Sequence, residues 1–181
     1  THDIATTARV QVMPITRDAR REAPPASRAP RAPRRAASHP SAQERVLATV
    51  YKKIRDNGVL LEGSLLKPSM TVPGVDCPDK SDPTTIAKMT VQTLDRCLPP
   101  AMPGVTFLSG GISEEDSSIY LNEINKQDKK GAFATTFSYS RALQSSCIKI
   151  WGGKKENYQK AQDQLFARAK ANSEASVGKY K

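Results

Sequence analysis

Lys67 is the residue of this chain whose type and position point most directly to chemistry. It ends the apolar run VLLEGSLLK, residues 59–67, in which strand alternation would place it on one face with Leu61 and Leu65. Burial disfavours an ammonium group, so an amine at the end of a buried strand is shifted toward its neutral form unless it is paired. A neutral amine can attack a carbonyl and form a Schiff base. The alternative, in which Lys67 reaches water or pairs with a carboxylate, stays open on position alone.

A first candidate phosphate loop follows the apolar run GVTFLSGG, residues 104–111. Glycines let backbone amides approach an anion, and a turn from strand to helix presents such amides together. Ser109 adds a hydroxyl and Gly110 an unhindered amide. A plain tight turn explains the glycine pair equally well.

A second candidate phosphate loop is SYSR, which ends the run ATTFSYS, residues 134–140. Ser138 and Ser140 carry hydroxyls, and the guanidinium of Arg141 is always charged and suits a phosphate. The alternative for Arg141 is an ion pair with an acidic side chain of a nearby helix.

The elements that must position these residues alternate between strand and helix. Strands are predicted at 59–67, 104–111 and 134–140, and helices at 44–58, from 83 to 94, from Ser113, at 143–150 and from 158 to 180. Asp82 and Ser113 are the predicted N-caps. Repeated strand–helix units predict an α/β fold with a parallel sheet, whose chemistry lies at the carboxyl ends of the strands.

Composition excludes several classes of protein. The 181 residues include 28 Lys plus Arg and 18 Asp plus Glu, for a net charge of +10, and no apolar run of ~18 residues could span a membrane. Three cysteines without CxxC spacing argue against a disulfide framework or a zinc site and favour a reducing compartment. No secretory signal is visible, and the lack of an initial Met indicates a fragment.

Residues 12–43 form a stretch of unusual composition, with seven Arg, six Pro and eight Ala in 32 residues. It has no apolar period, so we predict a disordered insert. Deleting it would join Gln11 to Glu44 and continue the apolar stripe of the following helix. An insert bounded by Val and Gln fits a retained intron, which transcript reads across the segment would test. A nucleic-acid tether and a transit peptide are weaker alternatives.

The segments LEGSLLKPSMTVPG, GVTFLSGGISEE, TFSYSRALQSS and AKANSEASVGKYK resemble class I fructose-1,6-bisphosphate aldolase. The resemblance implies the C-terminal part of a (β/α)8 TIM barrel, with residues 44–181 carrying strands six to eight and residues 1–11 carrying the helix segment before them. It also implies that Lys67 forms the Schiff base with the substrate ketone. The implied phosphate-binding residues are Ser109, Gly110, Ser138, Ser140 and Arg141.

The same resemblance implies a sugar bisphosphate as substrate and no cofactor or metal. It implies no nucleic-acid or membrane partner, a homotetramer for the full-length protein, and a cytoplasmic location, with the plastid as alternative. A non-catalytic scaffold for acidic partners is the alternative function.

Two departures from the family bear on activity. Ser140 stands where the family usually has Gly, which puts anion binding at that amide in question. The acidic and basic groups that the family places on strands one to five have no counterpart here. A closed barrel needs ~250 residues, so we predict that the 181-residue chain is marginally stable and nearly inactive by itself.

Overall fold

The structure of the chain is a computed structural model that describes residues 39–74, 77 and 81–181. Its helices and strands are α1 (His39–Asp56), α2 (Pro83–Cys97), β1 (Gly104–Phe107), α3 (Glu114–Lys126), β2 (Ala134–Phe137), α4 (Arg141–Trp151), a 3-10 turn (Lys155–Asn157) and α5 (Tyr158–Ala175). None of the helices in these ranges is long and apolar enough to cross a bilayer.

The sheet is parallel, as the alternation of strands and helices predicts. β1 pairs with β2 in register from Gly104 opposite Ala134 to Phe107 opposite Phe137. On the other edge of β1, Leu66 forms a parallel bridge with Val105. The α/β prediction is therefore confirmed, with three consecutive segments side by side.

The strand predicted at 59–67 is wrong over most of its length. The amide of Ser64 donates to the Leu61 carbonyl at 3.0 Å in a turn, and the bridges to the neighbouring strand are made by Leu66 and Ser69. Pro68 has no amide to donate, and no other described segment pairs with the outer edge of residues 66–69. The predicted alternation therefore does not extend back to residue 59.

The helix ends follow local signals. Asp82 accepts a hydrogen bond from the Thr85 amide at 3.0 Å, and Ser113 accepts one from the Asp116 amide at 3.0 Å, so both predicted N-caps are confirmed. Gly152, at φ +54°, ends α4 in the left-handed conformation that favours glycine.

Helix α1 begins at His39, five residues before the predicted start at Glu44 and inside the predicted disordered insert. Gln43 explains part of this difference, since its side chain donates to the Ser69 carbonyl at 2.8 Å and accepts from the Thr71 hydroxyl at 2.7 Å. Such tertiary contacts stabilise a helix whose composition alone would not. The remainder of the insert and the predicted segment 1–11 lie outside the described residues.

The main core lies between the sheet and helices α2 and α3. Phe107 of β1 and Leu121 of α3 are fully buried at its centre, and Leu94 of α2 packs with them. A smaller cluster of Leu47, Tyr51 and Met102 attaches α1 to this body. These contacts fix the carboxyl ends of the strands, where the candidate site lies.

Candidate active site

Lys67 lies at the carboxyl end of the first sheet segment, directly after the bridge residue Leu66. The Leu66 carbonyl accepts from the Thr106 amide at 2.8 Å and the Pro68 carbonyl from the Leu108 amide at 3.0 Å, so the backbone around Lys67 is held against β1. The side chain of Lys67 is exposed, and its amine makes no hydrogen bond or ion pair with the described residues.

This exposure differs from the buried strand end that the sequence predicts. In the described part of the chain, β1 pairs with this segment and Gln43 of α1 contacts it at Ser69, but neither covers the Lys67 side chain. The backbone of Lys67 thus lies at the sheet edge, while the described residues do not enclose its amine.

The first candidate phosphate loop turns at the end of β1 and leads into α3. Ser109 is buried and its carbonyl accepts from the Ile112 amide at 2.9 Å, which closes a tight turn. Gly110 and Gly111 have φ values of +59° and +93°, which L side chains rarely adopt. The two glycines therefore lie in a tight turn that precedes the N-cap Ser113 of α3.

The second candidate phosphate loop lies beside the first. The Ser138 amide donates to the Phe107 carbonyl at 2.8 Å, so this loop leaves the sheet next to the end of β1. Ser140 and Arg141 are exposed at the start of α4, and the Ser140 hydroxyl makes no capping hydrogen bond. At φ −102°, Ser140 has a backbone conformation that does not require the glycine usual in the family.

The structure therefore brings the predicted site residues to one edge of the sheet. Neighbouring strands lie about 4.8 Å apart, so Lys67 and Ser138 flank the end of β1 on its two sides, with Ser109 between them. A cleft of about 500 Å³ next to this edge is bounded by Gln43, the loop after Lys67 and Gly110.

Tyr139 is a residue of the site region that the sequence analysis missed. Its hydroxyl donates to the Ser117 carbonyl of α3 at 3.0 Å, and its ring packs 5.5 Å from that of Phe137, centroid to centroid. Burial raises the pKa of Tyr139. The side chain thereby ties the second phosphate loop to the helix that follows the first, and its position between Ser138 and Ser140 is the only local signal for this role.

Buried polar contacts among α3, α4 and α5 were also missed. Glu114 and Arg168 meet across 54 residues of sequence, with Arg168 donating to the Glu114 carbonyl. No periodicity or short motif marks such a pair, because each residue alone looks like an ordinary charged helix position.

The family described as class-I fructose-bisphosphate aldolase matches residues 36–181 of this chain. Among curated relatives, the muscle-type fructose-bisphosphate aldolase of Lethenteron camtschaticum is 55% identical over 138 residues, which are 76% of this chain and 38% of the relative. The cytosolic fructose-bisphosphate aldolase 4 of Arabidopsis thaliana is 56% identical over 138 residues, which are 76% of this chain and 35% of the relative.

A solved structure gives the same result. The fructose-bisphosphate aldolase of Plasmodium falciparum, in complex with TRAP and a small-molecule inhibitor, superposes with a TM-score of 0.76 at 51% identity, over 78% of this chain and 41% of that one. The predicted fold, the C-terminal part of a (β/α)8 barrel, is confirmed. The chain spans well under half the length of these relatives, and it belongs to the class-I fructose-bisphosphate aldolase family.

Proposed function

We propose that this chain carries the imine-forming lysine and the phosphate loops of a fructose-bisphosphate aldolase, a carbon–carbon lyase of glycolysis. Its substrate is fructose 1,6-bisphosphate, and its products are dihydroxyacetone phosphate and glyceraldehyde 3-phosphate. The single observation that carries the proposal is the meeting of Lys67 with both predicted phosphate loops at the carboxyl edge of one parallel sheet.

The Lys67 amine attacks the substrate ketone at C2, and the resulting carbinolamine loses water to give a protonated imine. When the C4 hydroxyl loses its proton, the C3–C4 bond breaks, the aldehyde leaves, and the bonding pair moves into the imine to form an enamine. Protonation at C3 and hydrolysis then release dihydroxyacetone phosphate and restore the lysine. The protonated imine is the electron sink for the cleavage step.

The two loops bind the phosphate on C1 in this proposal. Amides of Gly110 and Gly111 donate from the turn before the N-cap Ser113 of α3, where the lack of side chains lets the backbone approach an anion. Arg141 supplies a charged fork from the neighbouring loop. The acidic first turn of α3 opposes this attraction, so the guanidinium is the main source of affinity.

Cleavage needs acid–base groups that the resemblance assigns to earlier barrel strands. One such group contributes about 10²–10⁴ in rate. The 181 residues by themselves are therefore expected to form the imine slowly and to cleave substrate at a small fraction of the rate of a complete barrel.

Borohydride trapping tests the proposal. The chain is incubated with dihydroxyacetone phosphate and sodium borohydride, and the reduced adduct is located by peptide mass mapping. We expect the adduct on Lys67 and its loss in Lys67→Met. The matched competitor is Lys129, whose pKa is lowered by burial, with Asp95 acting in the opposite direction. An adduct on Lys129, or equal labelling of Lys67→Met, would refute the assignment.

Two further properties belong to the proposal. Relatives from Arabidopsis thaliana and Pisum sativum carry cytosolic or cytoplasmic names, which supports a cytoplasmic location, and we propose a homotetramer for a complete barrel.

A scaffold role is the second candidate, favoured by the net charge of +10 and by the TRAP complex of the Plasmodium falciparum relative. Salt-sensitive binding of an acidic peptide that survives Lys67→Met would support it.

A further inference from the structure

The first turn of α3 is held against α4 and α5 by polar contacts that are largely shielded from water. One carboxylate oxygen of Glu114 accepts from the Ser146 amide of α4 at 2.9 Å. Arg168 of α5 donates through Nη2 to the Ser118 hydroxyl at 2.7 Å and also to the Glu114 carbonyl. We name these four residues, Glu114, Ser118, Ser146 and Arg168, the α3–α4 brace.

Arg168 is the member of the brace that reaches both ends of the first turn of α3. Its Nε lies 4.0 Å from the Glu114 carboxylate, and the two side chains are only 12% and 20% exposed. That Nε is buried and has no hydrogen-bond acceptor among the described residues. Because little water can replace these contacts, loss of the guanidinium would leave a shielded carboxylate without its cation.

The brace lies directly behind the two phosphate loops. Glu114 is three residues after Gly111 along the chain, and Ser146 is five residues after Arg141 in the same helix. The contact between Glu114 and Ser146 therefore fixes the start of α3 relative to the helix that begins at Arg141. Tyr139 adds a second tie between the same two parts through Ser117.

We propose that Arg168 is a positioning residue for the phosphate site, one that acts through Glu114 on the spacing between the Gly110–Gly111 amides and Arg141. The inference rests on the proposed function, because it takes the two loops to bind one phosphate. The contacts of Arg168 go to α3 and not to the loops, so its effect on an anion is exerted through geometry. In catalysis, a misplacement of about 1 Å can cost about a hundredfold in rate, and we expect a phosphate held between two loops to be sensitive to displacement in the same way.

Titration with inorganic phosphate tests the inference on the 181-residue chain. The amide resonances of Gly110, Gly111 and Arg141 report the dissociation constant for phosphate. We expect Arg168→Met to weaken binding about tenfold or more. The control is Lys170→Met, which removes the same charge from the same helix at a side chain that is 66% exposed. It should change the dissociation constant less than twofold.

Glu114→Gln separates geometry from charge. The substitution makes the region one charge more positive, so a purely electrostatic effect would tighten phosphate binding. Positioning predicts the opposite, because a neutral amide no longer pairs with Arg168. Arg168→Lys keeps the charge but not the planar fork, and should fall between the wild type and Arg168→Met. Arg168→Lys also tests the inference if Arg168→Met does not fold.

The outcomes distinguish this inference from the proposed function. Suppose that the wild type binds phosphate, and that Arg168→Met and Glu114→Gln have the same dissociation constant as the control Lys170→Met. The positioning role is then overturned, while the phosphate site stands. If the wild type shows no phosphate-dependent shift at the loop amides, the phosphate site itself is wrong and the inference falls with it. Weakening in both variants, with the control unchanged, supports both.

Discussion

Two buried tyrosines should respond to the same substitution with opposite signs. The Tyr51 side chain is 7% exposed, and its hydroxyl is buried with no hydrogen-bond partner among the described residues. Tyr139 is equally buried, but its hydroxyl donates to the Ser117 carbonyl at 3.0 Å. Replacing each by phenylalanine removes one oxygen atom and preserves the ring.

The magnitudes follow from the two environments. An unpaired buried hydroxyl costs about 1–3 kcal/mol, so Tyr51→Phe should raise the free energy of unfolding by about 1 kcal/mol. Loss of a satisfied hydrogen bond costs about 1 kcal/mol, so Tyr139→Phe should lower it by that amount. The two variants should thus differ by about 2 kcal/mol in the free energy of unfolding, or about 1 M in urea midpoint.

Alkaline pH adds a second signature for Tyr51. Burial, with a smaller contribution from Cys97, raises its pKa from 10.0 to about 12. A raised pKa in the folded state means that the stability of the neutral phenol is fully present below pH 10 and is lost as the pH rises toward 12. Tyr51→Phe cannot ionise, so its advantage over the wild type should grow across this interval.

Urea denaturation followed by far-ultraviolet circular dichroism at neutral and alkaline pH measures both effects. A lower urea midpoint for Tyr51→Phe than for the wild type at neutral pH would refute the reasoning from the unpaired hydroxyl. An advantage that shrinks between pH 10 and 12 would refute the reasoning from the pKa.

Two further predictions concern the loops and the insert. Gly110→Ala should lower the free energy of unfolding by about 1–2 kcal/mol, because its φ is +59° and the new methyl would lie 3.2 Å from Leu108 Cδ1. Gly63→Ala, whose nearest atom is 3.5 Å away, is the matched control in urea denaturation and should be neutral or stabilising; equal midpoints for the two variants would contradict the argument. Deletion of residues 12–43 should change the free energy of unfolding by less than about 1 kcal/mol, since Gln11 then occupies the position of Gln43 and can remake its two hydrogen bonds. In the deletion variant, the added substitution Gln11→Leu should lower the free energy of unfolding. If the deletion alone lowers it as much as the deletion combined with Gln11→Leu, the result would count against the retained-intron hypothesis.

Much of the fold could be predicted because its signals are short-range. The caps at Asp82 and Ser113 depend on a side chain and an amide three residues away, and the end of α4 depends on Gly152 alone. The parallel order of the sheet follows from the length of each helical connection. The positions of Lys67 and of the two loops at one edge follow in turn.

The residues whose structure the sequence mispredicts depend on partners that are distant along the chain. Residues 59–67 are predicted as a strand because most of them are apolar, yet the bridges to the neighbouring strand are made by Leu66 and Ser69. Helix α1 extends back to His39 through a region whose composition indicates disorder, where Gln43 contacts Ser69 and Thr71 about 26 residues later.

The parallel α/β order, the helix caps and the residues at the sheet edge could be predicted from the sequence, because each of these depends on neighbours within a few positions. Only the tertiary structure decided the exposure of Lys67, the tie from Tyr139 to α3, and the pairing of Arg168 with Glu114 across 54 residues. Such contacts exist only after the helices have packed, since their free energy comes from partners that the local chain does not contain.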